Sequence, residues 1–354
     1  MPTSYAHQLD TLLARFNFHF TKSQINQVMA TTANSKDTFK DSVLTTISSN
    51  QNLKDKVNEL GLLALQLDTR QVEVFTVTDA KAQSALSHLY ANPQITTNTT
   101  IKDAFPFPVE DKADLNTLKT NTVYPILSDI VAMGSDTYNR LVVSTVTEKE
   151  IEEPVPAAHL SQTGQAQQNA NTTYTMKRKV RTQLFHVVYW CSSLSKLILS
   201  VDRNAMSLSA SQDQLFIVRR FLTLNKIDCG NATNVFSAIE PLYNSADGFV
   251  TKLGHVTTNG NPVRIPLKSK QKCLKQDNYH QAGEGGGHVH AKFAVSKKWE
   301  FAQAGTKRVV DIEVGLAGQP KMLDTSQPLT DFSINKSKRL EDFNFAIDKV
   351  LSHV

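Results

Sequence analysis

The sequence predicts an α+β fold with a mostly helical N-terminal domain and a C-terminal domain that combines an antiparallel or mixed sheet with helices. Apolar residues recur at helical spacing near the N-terminus and alternate with polar residues in most segments after residue 174. Between these parts, residues 148–173 are acidic and then rich in Pro, Ala, Gln, Asn and Thr, a composition that cannot bury a core. We therefore expect an acidic helical domain at 1–147, a linker or exposed loop at 148–173, and a basic β-rich α+β domain with a C-terminal helix at 174–354.

The N-terminal part is predicted to consist mainly of helices. The first of them, YAHQLDTLLARF, places Leu9 and Phe16 on the same apolar face. The next is predicted to begin at Thr21, because Thr21 and Gln24 have the spacing of a capping box. The alternating segment RQVEVFTVT predicts a strand, and we expect a further helix within residues 111–133 before the strand YNRLVVSTVT.

The C-terminal part is predicted to be dominated by strands. TYTMKRKVRTQLFHVVYW and SKLILSVD are predicted to pair, and SQDQLFIVRRFLTLN is predicted to form a helix capped by Ser211. Asn259-Gly260 lies between two alternating runs and is a strong signal for a hairpin. A second hairpin is predicted to join GHVHAKFAVSKKWEF to TKRVVDIEVGL. An amphipathic helix with Leu340 and Leu351 on one stripe is expected to close the chain.

The charge of the chain is unevenly distributed. The net charge of +5 combines 13 basic and 18 acidic residues at 1–176, 20 basic and 8 acidic residues at 177–308, and 5 basic and 7 acidic residues at 309–354. The middle segment thus carries +12, against −5 and −2 for the flanking segments. A concentration of positive charge of this kind is typical of modules that bind polyanions.

Strand alternation places many of these cations on faces that point away from the core. Lys177 and Arg181 share one face of their predicted strand, and Arg264 and Lys292 lie opposite the apolar faces of theirs. If these strands belong to one sheet, their outer face forms a basic platform that attracts phosphates; the other interpretation is a solvated sheet face. The cations expected to contact nucleic acid are Lys177, Lys179, Arg181, Arg219, Arg220, Arg264, Lys268, Lys270, Lys272, Lys292 and Lys297.

The segment YHQAGEGGGHVHAKFAV combines glycines, histidines and a lysine. Its glycines do not form a phosphate-binding loop, because no G-x-x-x-x-G-K-[ST] pattern is present and a strand is expected to follow. His288 and His290 are two residues apart on that strand and could hold zinc or another divalent metal, with His280 or Cys273 as a further ligand. The alternative is a pair of histidines on a polar strand face. Nearby Tyr279, together with Trp299 and Phe301, could stack on bases; the alternative is that these rings pack in the core or in a hairpin.

His290 and Lys292 also suggest a catalytic alternative. The sequence His290-Ala291-Lys292 resembles the H-x-K start of the phospholipase D-like phosphodiesterase motif. This resemblance implies a nucleophilic or proton-donating His290 and a phosphate-binding Lys292. The chain departs from the motif because Lys297 stands where the family has an aspartate, and a second H-x-K is absent from the sequence.

Composition also indicates where the protein acts. No apolar run approaches the roughly 20 residues of a membrane helix, and the first residues do not have the pattern of a signal peptide. Cys191, Cys229 and Cys273 are an odd number of widely spaced cysteines, which argues against a disulfide framework and for a reducing compartment. We therefore expect a cytoplasmic protein.

The leading interpretation is a cytoplasmic nucleic-acid-binding protein without catalysis of its own, acting in a bacterial or phage DNA transaction such as genome defence. A phosphodiesterase or nuclease using His290 and Lys292 is the second hypothesis. The third is a subunit of an oligomeric assembly, with the N-terminal domain contacting a protein partner or further copies of the chain. Apart from a possible divalent metal, no cofactor is expected, and no membrane partner is expected.

Overall fold

The computed structural model describes residues 3–167, 172–204, 206–267, 272–302, 309–325 and 327–354. These residues form an α+β fold in which ten antiparallel strands belong to one sheet, in the order β2-β3-β4-β5-β1-β10-β9-β8-β6-β7. The strands are β1 (Asp68–Thr76), β2 (Tyr124–Met133), β3 (Asp136–Pro154), β4 (Thr175–Cys191), β5 (Lys196–Asp202), β6 (Phe249–Val256), β7 (Pro262–Pro266), β8 (Lys292–Ala302), β9 (Val309–Leu316) and β10 (Asp331–Ser337).

Helices lie on both faces of this sheet. Most of them begin at a polar residue that accepts a hydrogen bond from the first turn, as Ser4 does from the backbone N–H of His7. The helices are α1 (Tyr5–Arg15), α2 (Phe18–Ile25), α3 (Lys36–Ile47), α4 (Gln51–Gln66), α5 (Ala80–Ala91), α6 (Thr99–Ala104), α7 (Lys112–Thr117), α8 (Gln162–Gln167), α9 (Leu208–Leu224), α10 (Ile239–Asn244), α11 (Asn278–Gly285) and α12 (Leu340–Leu351). None of these described helices is long and apolar enough to cross a membrane.

Strand β1 joins the two parts of the chain in one sheet. It lies between β5 and β10, so that Val72 is opposite Ser200 on one side and Phe332 on the other. Strands from both sides of the expected boundary at 148–173 therefore share one hydrogen-bonded sheet. The α+β class is confirmed, whereas the layout as a helical domain followed by a β-rich domain is not confirmed.

Part of the expected linker is a strand. Residues 148–154 continue β3 and pair with β4 as far as Pro154 and Thr175. The extension buries little apolar surface, and its two strands are joined by ion pairs: Glu148 contacts Arg181 at 2.8 Å, and Glu150 contacts Lys177 at 3.0 Å. Opposite charges on neighbouring strands stabilise the pairing without a core, which explains why composition alone suggested a linker.

The helix expected within residues 111–133 is present as α7, and residues 124–133 of that range form strand β2, which pairs with β3 along its length. Two local predictions were wrong. Helix α2 begins before Thr21, with Asn17 as its cap, and α9 begins before Ser211, with Ser207 as its cap. In both helices an earlier side chain accepts the hydrogen bond from the first turn, so the predicted capping residue lies within the helix.

The two faces of the sheet are covered unequally. One face packs against α1–α4, α10 and α12 and forms the larger core. On the opposite face, α5 and α9 cover β3, β4, β5 and β1 and form a smaller core. No apolar cluster of the described residues covers that face over β10, β9, β8, β6 and β7. We call this uncovered region the open half-face, and it contains the candidate functional site.

A buried polar network fixes the centre of the sheet. The guanidinium of Arg70 is fully buried and donates hydrogen bonds to the backbone oxygens of Leu65 at 2.9 Å, Phe185 at 3.1 Å and Ser200 at 2.6 Å. Beside it, the buried carboxylate of Asp202 forms a two-pronged ion pair with Arg15 of α1. Burial lowers the pKa of Arg70 to about 10, so it remains charged at neutral pH.

The substitution Arg15→Met should lower the free energy of unfolding by about 3 kcal/mol, because it leaves the buried Asp202 carboxylate without its main cation. Lys40→Met is the matched control, because Lys40 pairs with the half-exposed Asp10 and such surface pairs contribute less than about 1 kcal/mol. Urea unfolding at neutral pH measures both. Equal losses in the two variants would contradict the importance of the buried pair.

Candidate functional site

The open half-face contains a shallow trough floored by small residues. Ser333 of β10 lies opposite Gly315 of β9, which in turn lies opposite Ser296 of β8. Further along, Ala294 of β8 lies opposite Gly254 of β6. The trough has a volume of about 710 Å³, which places it within the usual range for ligand sites.

Two of the glycines in this floor have close neighbours. A Cβ atom on Gly315 would come within 2.6 Å of the Ser333 hydroxyl, and one on Gly254 would come within 2.6 Å of the Phe293 ring. Any larger residue would therefore displace these neighbours. The small residues therefore keep the floor of the trough low.

Four cations line this trough. They are Arg203 after β5, Lys336 of β10, Lys252 of β6 and Arg264 of β7. Lys252 is 64% exposed, and its ammonium group lies 4.0 Å from the nearest carboxylate, that of Glu313. Lys336 forms a closer ion pair, with its ammonium group 2.8 Å from the carboxylate of Asp311. The site is therefore positively charged along both sides, with the acids on the middle strand β9.

Arg264 is held in place by its surroundings. Its guanidinium donates a hydrogen bond to the backbone oxygen of Gly318 at 2.9 Å and lies 5.0 Å from the centroid of the Phe293 ring. Such contact with an aromatic face orients the planar group and leaves its remaining donors for a ligand. Among the predicted phosphate-binding cations that the structure describes, Arg264 is the one that lines the trough.

The predicted cations of β4 lie elsewhere. Lys177, Lys179 and Arg181 are on the extended β3–β4 hairpin, and β4 is separated from β7 by six other strands in the sheet order. Lys177 and Arg181 form ion pairs with acids of β3. The expected single basic platform across these strands is therefore not formed, because the sheet order separates them and β3 neutralises most of their charge.

Other predicted cations are distributed over the surface. Arg219 of α9 lies 3.3 Å from Glu73, and Lys272 lies 3.3 Å from Glu300. Arg220 of α9 is exposed. The positions of Lys268 and Lys270 are outside the described residues.

Lys292 and Lys297 turn towards the helical layer. The register of β8 shifts between the pairs Gly254–Ala294 and His255–Lys292, and this irregularity moves Lys292 to the opposite face. There its ammonium group lies 2.9 Å from Glu240. Lys297 is almost fully buried and donates hydrogen bonds to the backbone oxygens of Leu242 and Ser245 of the α10 region. Both lysines therefore have intramolecular partners, and neither lies on the open face.

The two histidines proposed as metal ligands precede β8. His288 and His290 are exposed, and the backbone N–H of His290 donates to the oxygen of Val256 at 3.0 Å. Within the described residues, no group of three or more His, Cys, Asp or Glu side chains is arranged to hold a metal ion. His280 instead lies in the interior, where its Nε2 is 2.8 Å from the Tyr243 hydroxyl.

Comparison with known proteins adds no assignment. No protein-family model matches the chain, and no curated protein is significantly similar to it in sequence.

The sequence interpretation missed three of the trough cations. Lys252 could have been found, because the predicted hairpin pairs Gly254 with Arg264 and thus places Lys252 on the same face as Arg264. Arg203 and Lys336 could not, because they reach the trough only through the pairing of β1 with β5 and β10. That pairing joins segments far apart in the sequence and leaves no local signal.

A buried acid pair lies between the trough and α9. Glu73 of β1 is opposite Asp331 of β10, and both carboxyl groups are buried. Burial raises the pKa of Glu73 to about 7, with Asp331 adding to the rise and Arg219 opposing it. Burial also raises the pKa of Asp331. The open half-face is therefore bordered by two carboxyl groups that resist ionisation.

The substitution Glu73→Gln should change how stability depends on pH. Because the pKa of Glu73 is higher in the folded protein, the wild type loses stability as pH rises from 4.5 to about 7. Relative to wild type, the variant should gain up to about 3 kcal/mol between pH 4.5 and pH 8. Urea unfolding across this range measures the change. Glu59→Gln, at an exposed position, should leave the wild-type pH profile unchanged, and an identical profile for Glu73→Gln would refute the assignment.

Proposed function

We propose that the protein binds nucleic acid through the trough, which contacts the sugar–phosphate backbone and performs no catalysis. The observation that carries this proposal is an uncovered half-face of the sheet with a floor of small residues and cations on both sides. The opposite face of these strands, and the same face over β3, β4, β5 and β1, are covered by helices. A polar face that stays open and positively charged is suited to an extended anionic partner.

The spacing of the cations fits a polymer better than a small anion. The backbones of Lys336 on β10 and Lys252 on β6 are separated by three strand intervals, which corresponds to roughly 14 Å. Cations that start from strands this far apart can contact different phosphates of a strand or duplex. Each such contact releases counterions, which gives affinity that depends strongly on salt and little on base sequence.

The floor of the trough suits a ligand that approaches closely. Ser296 and Ser333 supply hydroxyl groups, and Gly254 and Gly315 add no side-chain bulk. Hydroxyl and backbone groups are common partners of phosphate and sugar oxygens and position a nucleic acid without reading its sequence. We propose that the protein acts in the cytoplasm; its free thiols Cys191, Cys229 and Cys273 support this, because free thiols are usual in a reducing compartment.

The double substitution Lys252→Glu with Lys336→Glu should weaken binding of short DNA and RNA oligonucleotides at least tenfold near 100 mM salt. Both side chains are more than half exposed, so the fold should be retained, as thermal unfolding will show. Loss of two phosphate contacts should also reduce the slope of log affinity against log salt by about 1.5. Fluorescence anisotropy at about 50 to 300 mM salt measures both quantities.

The matched control is Lys177→Glu with Lys179→Glu, which changes the net charge by the same amount on the β3–β4 hairpin. We expect this variant to bind within about threefold of wild type, because the hairpin cations lie far from the trough in the sheet. The reverse ranking of the two variants would place binding on the hairpin. Absence of binding to every oligonucleotide at low salt would refute the proposed function.

A further inference from the structure

A separate cavity lies behind the edge of the trough. It has a volume of about 410 Å³ and is bounded by β6 and β7 on one side and by α11 with the loop that follows it on the other. Val263 and Ile265 of β7 supply apolar surface, and His255, His280 and His288 supply the ring nitrogens. A mostly apolar cavity with a few polar groups is the usual form of a site for a small organic group.

Helix α11 presents a face suited to a flat ligand. Tyr279, Ala282 and Gly283 follow one another at helical spacing and all line the cavity. Ala282 and Gly283 leave space, and a Cβ atom on Gly283 would have no neighbour within 4 Å. Tyr279 is 82% exposed at this position, so one aromatic ring is available for stacking without disturbing the core.

His280 supplies a polar group without a protein partner. The Tyr243 hydroxyl donates a hydrogen bond to Glu284 at 2.9 Å, so it accepts one from Nε2–H of His280 at 2.8 Å. Burial lowers the pKa of His280, which keeps the ring neutral and leaves Nδ1 as an acceptor. This nitrogen is buried and has no hydrogen-bond partner among the described residues. A ligand N–H group would reach this nitrogen if the His280 ring turned towards the cavity, because the atom is covered in the structure.

The cavity and the trough meet at strand β7. Ile265 lines both of them, while the preceding residue, Arg264, belongs to the trough. β7 is an edge strand of five residues, so a chain that follows the trough can pass over it and reach the cavity. A bound backbone at Arg264 would thus have an aromatic-lined cavity beside it.

We propose that this cavity receives a nucleobase from a single-stranded nucleic acid whose backbone lies in the trough. This inference rests on the proposed function and adds that the preferred ligand is single-stranded. A nucleobase has flat faces that stack on an aromatic ring such as Tyr279 and a polar edge that carries N–H groups. A paired base within a duplex presents neither its faces nor its Watson–Crick edge to such a cavity.

The test compares binding of two oligomers of about 12 nucleotides, an oligodeoxythymidylate and an abasic strand with the same backbone. Wild type should bind the thymidine strand about tenfold more tightly, since stacking of one base has an effect of that order. Gly283→Leu should fill the cavity and bind both strands equally. Gly285→Leu is the matched control, because its Cβ also meets no atom within 4 Å and Gly285 does not line the cavity; it should behave as wild type.

The outcomes separate this inference from the proposed function. Equal binding of the two strands by wild type, with salt dependence retained, would overturn the base site and leave backbone binding in place. A tenfold preference retained in Gly283→Leu would likewise overturn the assignment to this cavity. If wild type binds neither strand, the proposed function fails as well. Circular dichroism and thermal unfolding of both glycine variants show that they remain folded.

Discussion

The arrangement of the sheet depends on the hydrogen bonds that the buried guanidinium of Arg70 donates. A charged group without water must have hydrogen-bond acceptors around it, and Arg70 finds them on α4, β4 and β5. These acceptors fix the position of β1 against its neighbours, and Asp202 extends the network to α1 through Arg15. The register of the central strands therefore follows from polar contacts as well as from apolar packing. Strand β10 adds to this fixed centre and supports the half of the sheet that contains the trough.

The open half-face exists because the second helical layer is short. α9 packs on β5 and β1. Beyond α9, the same face of the sheet carries Ser, Gly and charged residues, which offer little apolar surface for a helix to pack against. Glu73 and Asp331 lie where the part of this face that is covered by helices meets the open half-face, and their carboxyl groups are buried there. The same sheet thus provides a rigid apolar support on one side and an accessible polar surface on the other. A binding site on strands is more precisely positioned than one on loops.

Local sequence patterns predicted the helices that bury one apolar stripe and the strands that bury one apolar face. Helices α1 and α12 and the β6–β7 hairpin follow from apolar spacing and from the turn at Asn259-Gly260. Strand order and register could not be predicted in this way, because they depend on partners distant in the sequence. For the same reason the positive charge of residues 177–181 was misleading: Arg181 meets Glu148, which lies 33 residues away. A single irregularity in β8 was enough to reverse the side of Lys292. Counting charges therefore indicated the part of the chain after residue 174, in which the four trough cations lie, but not the surface that they share.

The central position of β1 has a consequence for biosynthesis. β1 is made early, but its two neighbours are made late, and Gln71 contacts a residue 260 positions further along the chain. Until Asp331 has left the ribosome, at least one edge of β1 has no partner, and an unpaired strand edge is a template for association with other chains. Pairing across such long sequence separations is also slow. The nascent protein therefore has an unpaired edge on β1 until β10 is made, and the pairing of β10 removes this edge.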